Sequence, residues 1–164
     1  MNYIKVFFGI FLVLSISRFV PHPPNFTSLL ALSFYVPALL GARFIPALII
    51  SFILTDIIIG FHATAFFTWG SVLVIGLMSN YFAKSILKRL SGALIGAFVF
   101  FIITNFGVWS LGSYGYTAEG LLICYVMAIP FFTYNLISTF IFSGVIESIY
   151  KLKFLRNFII KLKY

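Results

Sequence analysis

The sequence predicts an all-α membrane protein, a bundle of six transmembrane helices with both termini on the cytoplasmic side. Three observations predict it. The 164 residues are 62% apolar, 20% aromatic and only 9% charged, whereas soluble domains carry about 25% charged residues. A soluble domain of this length could not bury so much apolar surface and still cover itself with polar groups. The apolar residues fall into six runs, and the cations gather at alternate connections between those runs.

The runs follow in chain order. A hydrocarbon core about 30 Å thick calls for about 20 helical residues. The first run is Tyr3 to Ser17, ending at Arg18; the second, Thr27 to Leu40, is short and ends before Arg43. The third is Phe44 to Phe61, the fourth Phe66 to Ala83, and the fifth, again short, Ser91 to Asn105. The sixth, Glu119 to Ile149, is long enough to continue past the membrane and carries a kink-prone Pro130. Backbone amides cannot stay unpaired in hydrocarbon, so each run is expected to be helical. The alternating pattern of a transmembrane barrel is absent. The short second and fifth runs leave open whether they cross fully or re-enter.

Charge settles the count at six. With six crossings, Lys5, Arg43, Lys84, Lys88, Arg89, Lys151, Lys153, Arg156, Lys161 and Lys163 share one side, and Arg18 stands alone on the other. Cytoplasmic loops collect Lys and Arg, which gives N-in/C-in orientation in a bacterial inner membrane. The N-terminus has some features of a signal peptide, but its small-residue pattern is poor and cleavage would worsen the charge split. Residues 1–150 thus form one transmembrane domain. Residues 151–164 interleave Phe154, Leu155, Phe158, Ile159 and Leu162 with cations, the pattern of a basic amphipathic tail on an anionic leaflet.

Several functions fall away. The net charge of +8 lies between apolar runs, not in a phosphate-binding cluster, so no nucleic acid is expected as a partner. A lone Cys124 cannot form an intramolecular disulfide, and no Cys/His spacing suggests zinc. No His-Glu-x-x-His, Walker or Gly-x-Ser-x-Gly sequence is present. No enzymatic activity and no cofactor are expected.

The polar residues of the outer side are the candidate site. Arg18 opens a loop in which Pro21, Pro23 and Pro24 hold His22 and Asn25 on stiff backbone; such a segment either pre-organises a ligand or simply reverses the chain. Asp56 falls in the outer half of the third run, where a carboxylate is costly, with Arg18, His22 and His62 as its available partners. It serves a structural pair with Arg18, a ligand contact or a proton relay. Asn105 and Trp109 belong to the last outer connection, whose aromatics suit the interfacial belt or stacking on a flat ligand. Arg18, His22, Asn25, Asp56, His62, Asn105 and Trp109 are therefore expected to line an outward pocket for a small organic molecule. Asn135, in the sixth run, reads first as an interhelical hydrogen-bonding residue. Glu147 is expected to pair with a nearby lysine and Cys124 to pack as a small apolar residue. Two rivals remain: a scaffold that organises other envelope proteins, and an intramembrane enzyme with His22 and Asp56 as an acid–base pair.

Pro21-His22-Pro23-Pro24-Asn25-Phe26-Thr27, Asn105-Phe106-Gly107-Val108-Trp109, Cys124-Tyr125 and Ile129-Pro130-Phe131-Phe132 resemble the marks of a family of small, uncharacterised bacterial membrane proteins. That family is distantly similar to the S-components of energy-coupling-factor transporters. The resemblance implies a six-helix subunit that binds a vitamin-like nutrient from outside and works with a separate coupling subunit and ATPases. S-components commonly carry an Ala-x-x-x-Ala pattern in the first helix for docking on that subunit. The first run here departs from it, with Gly9 its only Gly or Ala.

Overall fold

A computed structural model describes residues 2–152. Among these residues the structure is all-helical. Six helices, α1 (Asn2–Phe19), α2 (Leu29–Leu40), α3 (Ile45–Ile59), α4 (Ala65–Met78), α5 (Ile86–Ser110) and α6 (Ala118–Tyr150), take up the six apolar runs. Short 3₁₀ turns, Ala42–Phe44 and Ser79–Phe82, lead into α3 and out of α4. Counting those turns, four segments are long and apolar enough to cross a membrane: Ala42–Ile59, Ala65–Phe82, Ile86–Ser110 and Ala118–Tyr150. This fits a membrane protein. The expected amphipathic tail falls, from residue 153 on, outside the described residues.

Side-chain pairs fix the helix directions. Tyr3 stacks on Phe44 with ring centroids 5.2 Å apart, and Arg18 meets Asp56 at 2.6 Å, so α1 and α3 run parallel. The indole of Trp69 donates to Asp56, which sets α4 antiparallel to α3. Phe101 and Phe132 rings pack 4.6 Å apart, and Arg89 meets Glu147, aligning α5 antiparallel to α6. Lys5, Arg43, Lys84, Lys88 and Lys151 consequently gather at one end of the bundle. Arg18, His22 and His62 lie toward the other.

The fifth run is longer than the sequence suggests. Its helix begins at Ile86, capped by the Ser85 side chain, which accepts from the Lys88 N–H. Lys88 and Arg89 look like interruptions of an apolar run, but Glu147 neutralises Arg89, and the helix runs through both. The acid that was expected to take a lysine takes this arginine instead.

The core lies between α2 and its neighbours. Phe34 and Tyr35 of α2 are buried against Ile75 of α4 and Ala93 and Ala97 of α5. A second cluster joins Leu14 of α1, Leu48 and Phe52 of α3 and Val72 of α4. Close approach of the helices depends on two glycines. A Cβ at Gly92 would lie 2.6 Å from both the Phe34 ring and Phe82 Cβ, and one at Gly107 would lie 2.5 Å from the Phe67 ring. Gly92→Ala is therefore expected to cost about 1–3 kcal/mol through overpacking, read as a lower melting temperature in detergent. Ala at Gly144, where nothing lies within 4 Å, serves as the control.

Lengths differ sharply. At 1.5 Å per residue α2 spans only about 18 Å, whereas α6 extends about 50 Å. The connection that enters α2 therefore rests over the end of a short helix, with Ser28 buried and Pro23, Pro24 and Asn25 exposed, and this places the site.

Candidate functional site

The connection into α2 is a constrained turn. The Phe26 N–H donates to the Pro23 carbonyl at 3.0 Å, closing a four-residue turn with Pro24 second and Asn25 third. Asn25 has φ of 63°, a left-handed conformation that asparagine tolerates better than most residues. Proline followed by a positive-φ residue is the combination type II turns favour. The His22 ring is fixed as well, its Nδ1 facing the Pro23 carbonyl at 2.7 Å and its Nε2 facing the Arg18 carbonyl at 3.3 Å. At the foot of the connection the Ser17 and Ser28 hydroxyls share a 2.7 Å hydrogen bond that ties α1 to the start of α2.

Beside this turn lies the most deeply buried charge at this end. Asp56 is 1% exposed and Arg18 15%. The guanidinium forms an ion pair with the Asp56 carboxylate at 2.6 Å, donates to the Thr55 hydroxyl, and lies 4.7 Å above the Phe52 ring. The other Asp56 oxygen accepts from Trp69 Nε1 at 2.7 Å. The pair leaves no net formal charge, while the guanidinium still forms part of a cavity wall.

That cavity has a volume of about 330 Å³. Arg18, His22, Asn25 and His62 line it together with Thr68 and Asn135. A second cavity of about 220 Å³ shares Asn25, His62, Thr68 and Asn135 with the first and adds Asn105. His62 Nε2 lies 3.4 Å from the Thr68 hydroxyl. That hydroxyl already donates to the Ala65 carbonyl at 2.8 Å, so the ring nitrogen is the donor between them. Asn135 is 6% exposed, and its amide makes no hydrogen bond to another described residue. The lining thus mixes polar groups, among them Arg18, Asn25 and Asn135, with apolar ones that include Leu29, Phe52 and Phe100.

The expected site residues divide. Arg18, His22, Asn25 and His62 meet in one cavity, and Asn105 lines the adjoining one, although its Nδ2 donates to the Phe101 carbonyl. Asp56 stands behind the wall and orients Arg18. Trp109 lies away from both cavities: its indole donates to the Thr117 carbonyl at 3.2 Å, and its ring packs on Phe106 and Tyr116. A stacking role on the ligand does not fit that position. The His22 ring faces the Pro23 and Arg18 carbonyls, whereas the Asp56 carboxylate faces Arg18 and Trp69. Asn135 and Thr68 belong to the wall but not to the expected set. Asn135 had a signal, an amide far inside an apolar run; Thr68 had none, since a helical threonine usually bonds its own backbone. Cys124 is buried, with its thiol donating to the Asn105 carbonyl at 3.3 Å.

A family described as "Family of unknown function (DUF6580)" matches residues 1–159, and the chain belongs to it. No curated protein and no solved structure matches.

Proposed function

We propose that this family member crosses the bacterial cytoplasmic membrane six times, with both termini inside, and binds a small organic nutrient through the cavity at its outer end. The topology is supported by the alternating helix directions and by the lysines and arginines collected at one end, since cytoplasmic segments are rich in both. A single observation carries the binding reading: Asn135 is nine-tenths buried, its amide has no hydrogen-bond partner among the described residues, and it lines both cavities. An amide that opens on the cavity without a protein partner is free to bond a ligand there.

In this reading Arg18, Asn25 and Asn135 direct hydrogen bonds at the ligand, His22 and His62 shape the wall, and Asp56 holds Arg18 in place. The chain binds and does no covalent chemistry, and it needs no cofactor. Uptake then draws its energy from elsewhere. The distant likeness to S-components points to a coupling subunit with ATPases as the partner.

The test is to purify the chain in mild detergent and identify co-purifying small molecules by mass spectrometry. Asn135→Leu removes the amide without orphaning a partner, so it is expected to reduce the bound molecule by about tenfold or more while the melting temperature holds. Equal recovery from both proteins rejects the pocket. If Ala substitutions at Arg18, His22 and Asp56 alter only stability, the scaffold reading takes its place.

A further inference from the structure

A third, mostly apolar hollow of about 470 Å³ opens between α1 and α6, lined by Val13, Ile16, Val20, Pro21, Phe26 and Phe142, and Ser17 and His22 line it as well. His22 also lines the polar cavity, so the two hollows meet at one side chain. We propose that the ligand is an amphiphile. Its oxygen-bearing head occupies the polar cavity, and its single long apolar tail lies in the α1–α6 groove, entered sideways from the outer leaflet. This inference rests on the binding reading above.

Three observations carry it. First, α1 packs chiefly against α3, and across the seam between α1 and α6 Phe26 of the connection meets Phe142, with ring centroids 6.3 Å apart. Second, the six-crossing reading places the site at hydrocarbon depth. Arg18 is thirteen residues along α1 from Lys5, a rise of about 20 Å in a core about 30 Å thick. A molecule dissolved in the outer leaflet is already at that level. Third, the chemistry changes at His22, with polar groups on one side and mainly aliphatic and phenyl groups on the other. Arg18 is already neutralised by Asp56, so the head is recognised through acceptor oxygens, which a carboxyl group supplies, and a net charge on it is not required. Lipid is as apolar as the groove, so the tail gains little from the transfer itself. The groove acts by orienting the tail and selecting its shape.

The experiment places the full chain in phosphatidylcholine nanodiscs with palmitate carrying a photoreactive diazirine at the tail end. Labelling of Ile16 and Phe142 is expected to saturate and to be displaced by excess palmitate but not by acetate. At Ile16 it should fall about tenfold in Phe142→Ala and Val13→Trp, which reshape the groove at a partly buried and an exposed position. Labelling that does not saturate and equals that of Ile58 and Leu122, exposed elsewhere, overturns the proposal, because the groove then holds only bulk lipid. The co-purification assay separates the two readings. A water-soluble molecule lost in Asn135→Leu, together with unsaturable palmitate labelling, overturns the amphiphile and keeps the cavity. No molecule and no saturable labelling overturns both.

Discussion

Glu147→Ala is expected to be the most destabilising single substitution at the lysine-rich end, costing about 3–5 kcal/mol. The carboxylate takes two hydrogen bonds from Arg89, Nε at 2.6 Å and the terminal nitrogen at 2.7 Å, in the fork geometry that suits guanidinium and carboxylate. Both side chains are only 8% exposed. Removing the acid leaves Arg89 buried, with the Ala83 carbonyl and the face of Tyr150 as its remaining neighbours. The loss is a large share of a typical total stability of about 5–15 kcal/mol. It should also loosen α5 from α6, because the pair spans 58 positions of sequence. Melting in detergent measures the effect, and the double variant Arg89→Met/Glu147→Leu provides the contrast. Replacing both charges with apolar groups removes the uncompensated ion, so the double variant should melt above Glu147→Ala. A double variant that melts as low as the single one would show that the charges themselves, and not the orphaned arginine, matter.

This pair also shows what the sequence does and does not reveal. Run length and the one-sided distribution of Lys and Arg identify the six helices, because both depend on composition along a single segment. The fifth helix was trimmed at Ser91, because Lys88 and Arg89 read as a polar boundary while the acid that neutralises one of them sits 58 residues away. Tertiary neutralisation leaves no local trace. The same limit divides the candidate site. The proline connection is legible because proline and asparagine dictate backbone geometry where they stand, and Asp56 is legible because a carboxylate in an apolar run needs a cation. Its second partner, Trp69, is a helical aromatic like many others in a chain that is 20% aromatic, and nothing nearby marks it. Trp109 erred in the opposite direction. Its loop position suggested a ligand platform, but the connection after α5 folds back and occupies its N–H. The position of the site follows from the 12-residue length of α2, which the sequence shows only as a short run.

Asp56→Ala tests that outer end, and here stability and function should part. The substitution strips Arg18 of its counter-ion and Trp69 of its acceptor, so a loss of about 3–5 kcal/mol is expected from the buried charge. The lower part of that range applies, because Arg18 retains 15% exposure and borders a cavity that water can enter. Asp56→Asn separates the two contributions. An amide oxygen can still accept from the Trp69 indole, while the charge on Arg18 goes unmatched, so its melting temperature should fall between those of wild type and Asp56→Ala. Arg18→Met/Asp56→Leu removes both charges and is expected to recover most of the stability, since paired apolar replacements of a buried ion pair are often neutral or favourable. The same double variant also takes a guanidinium donor out of the cavity wall. A stable protein that no longer retains its co-purifying molecule would place Arg18 in binding. A stable protein that retains it fully would make the pair a brace between α1 and α3, and the cavity would then depend on His22, Asn25 and Asn135 alone.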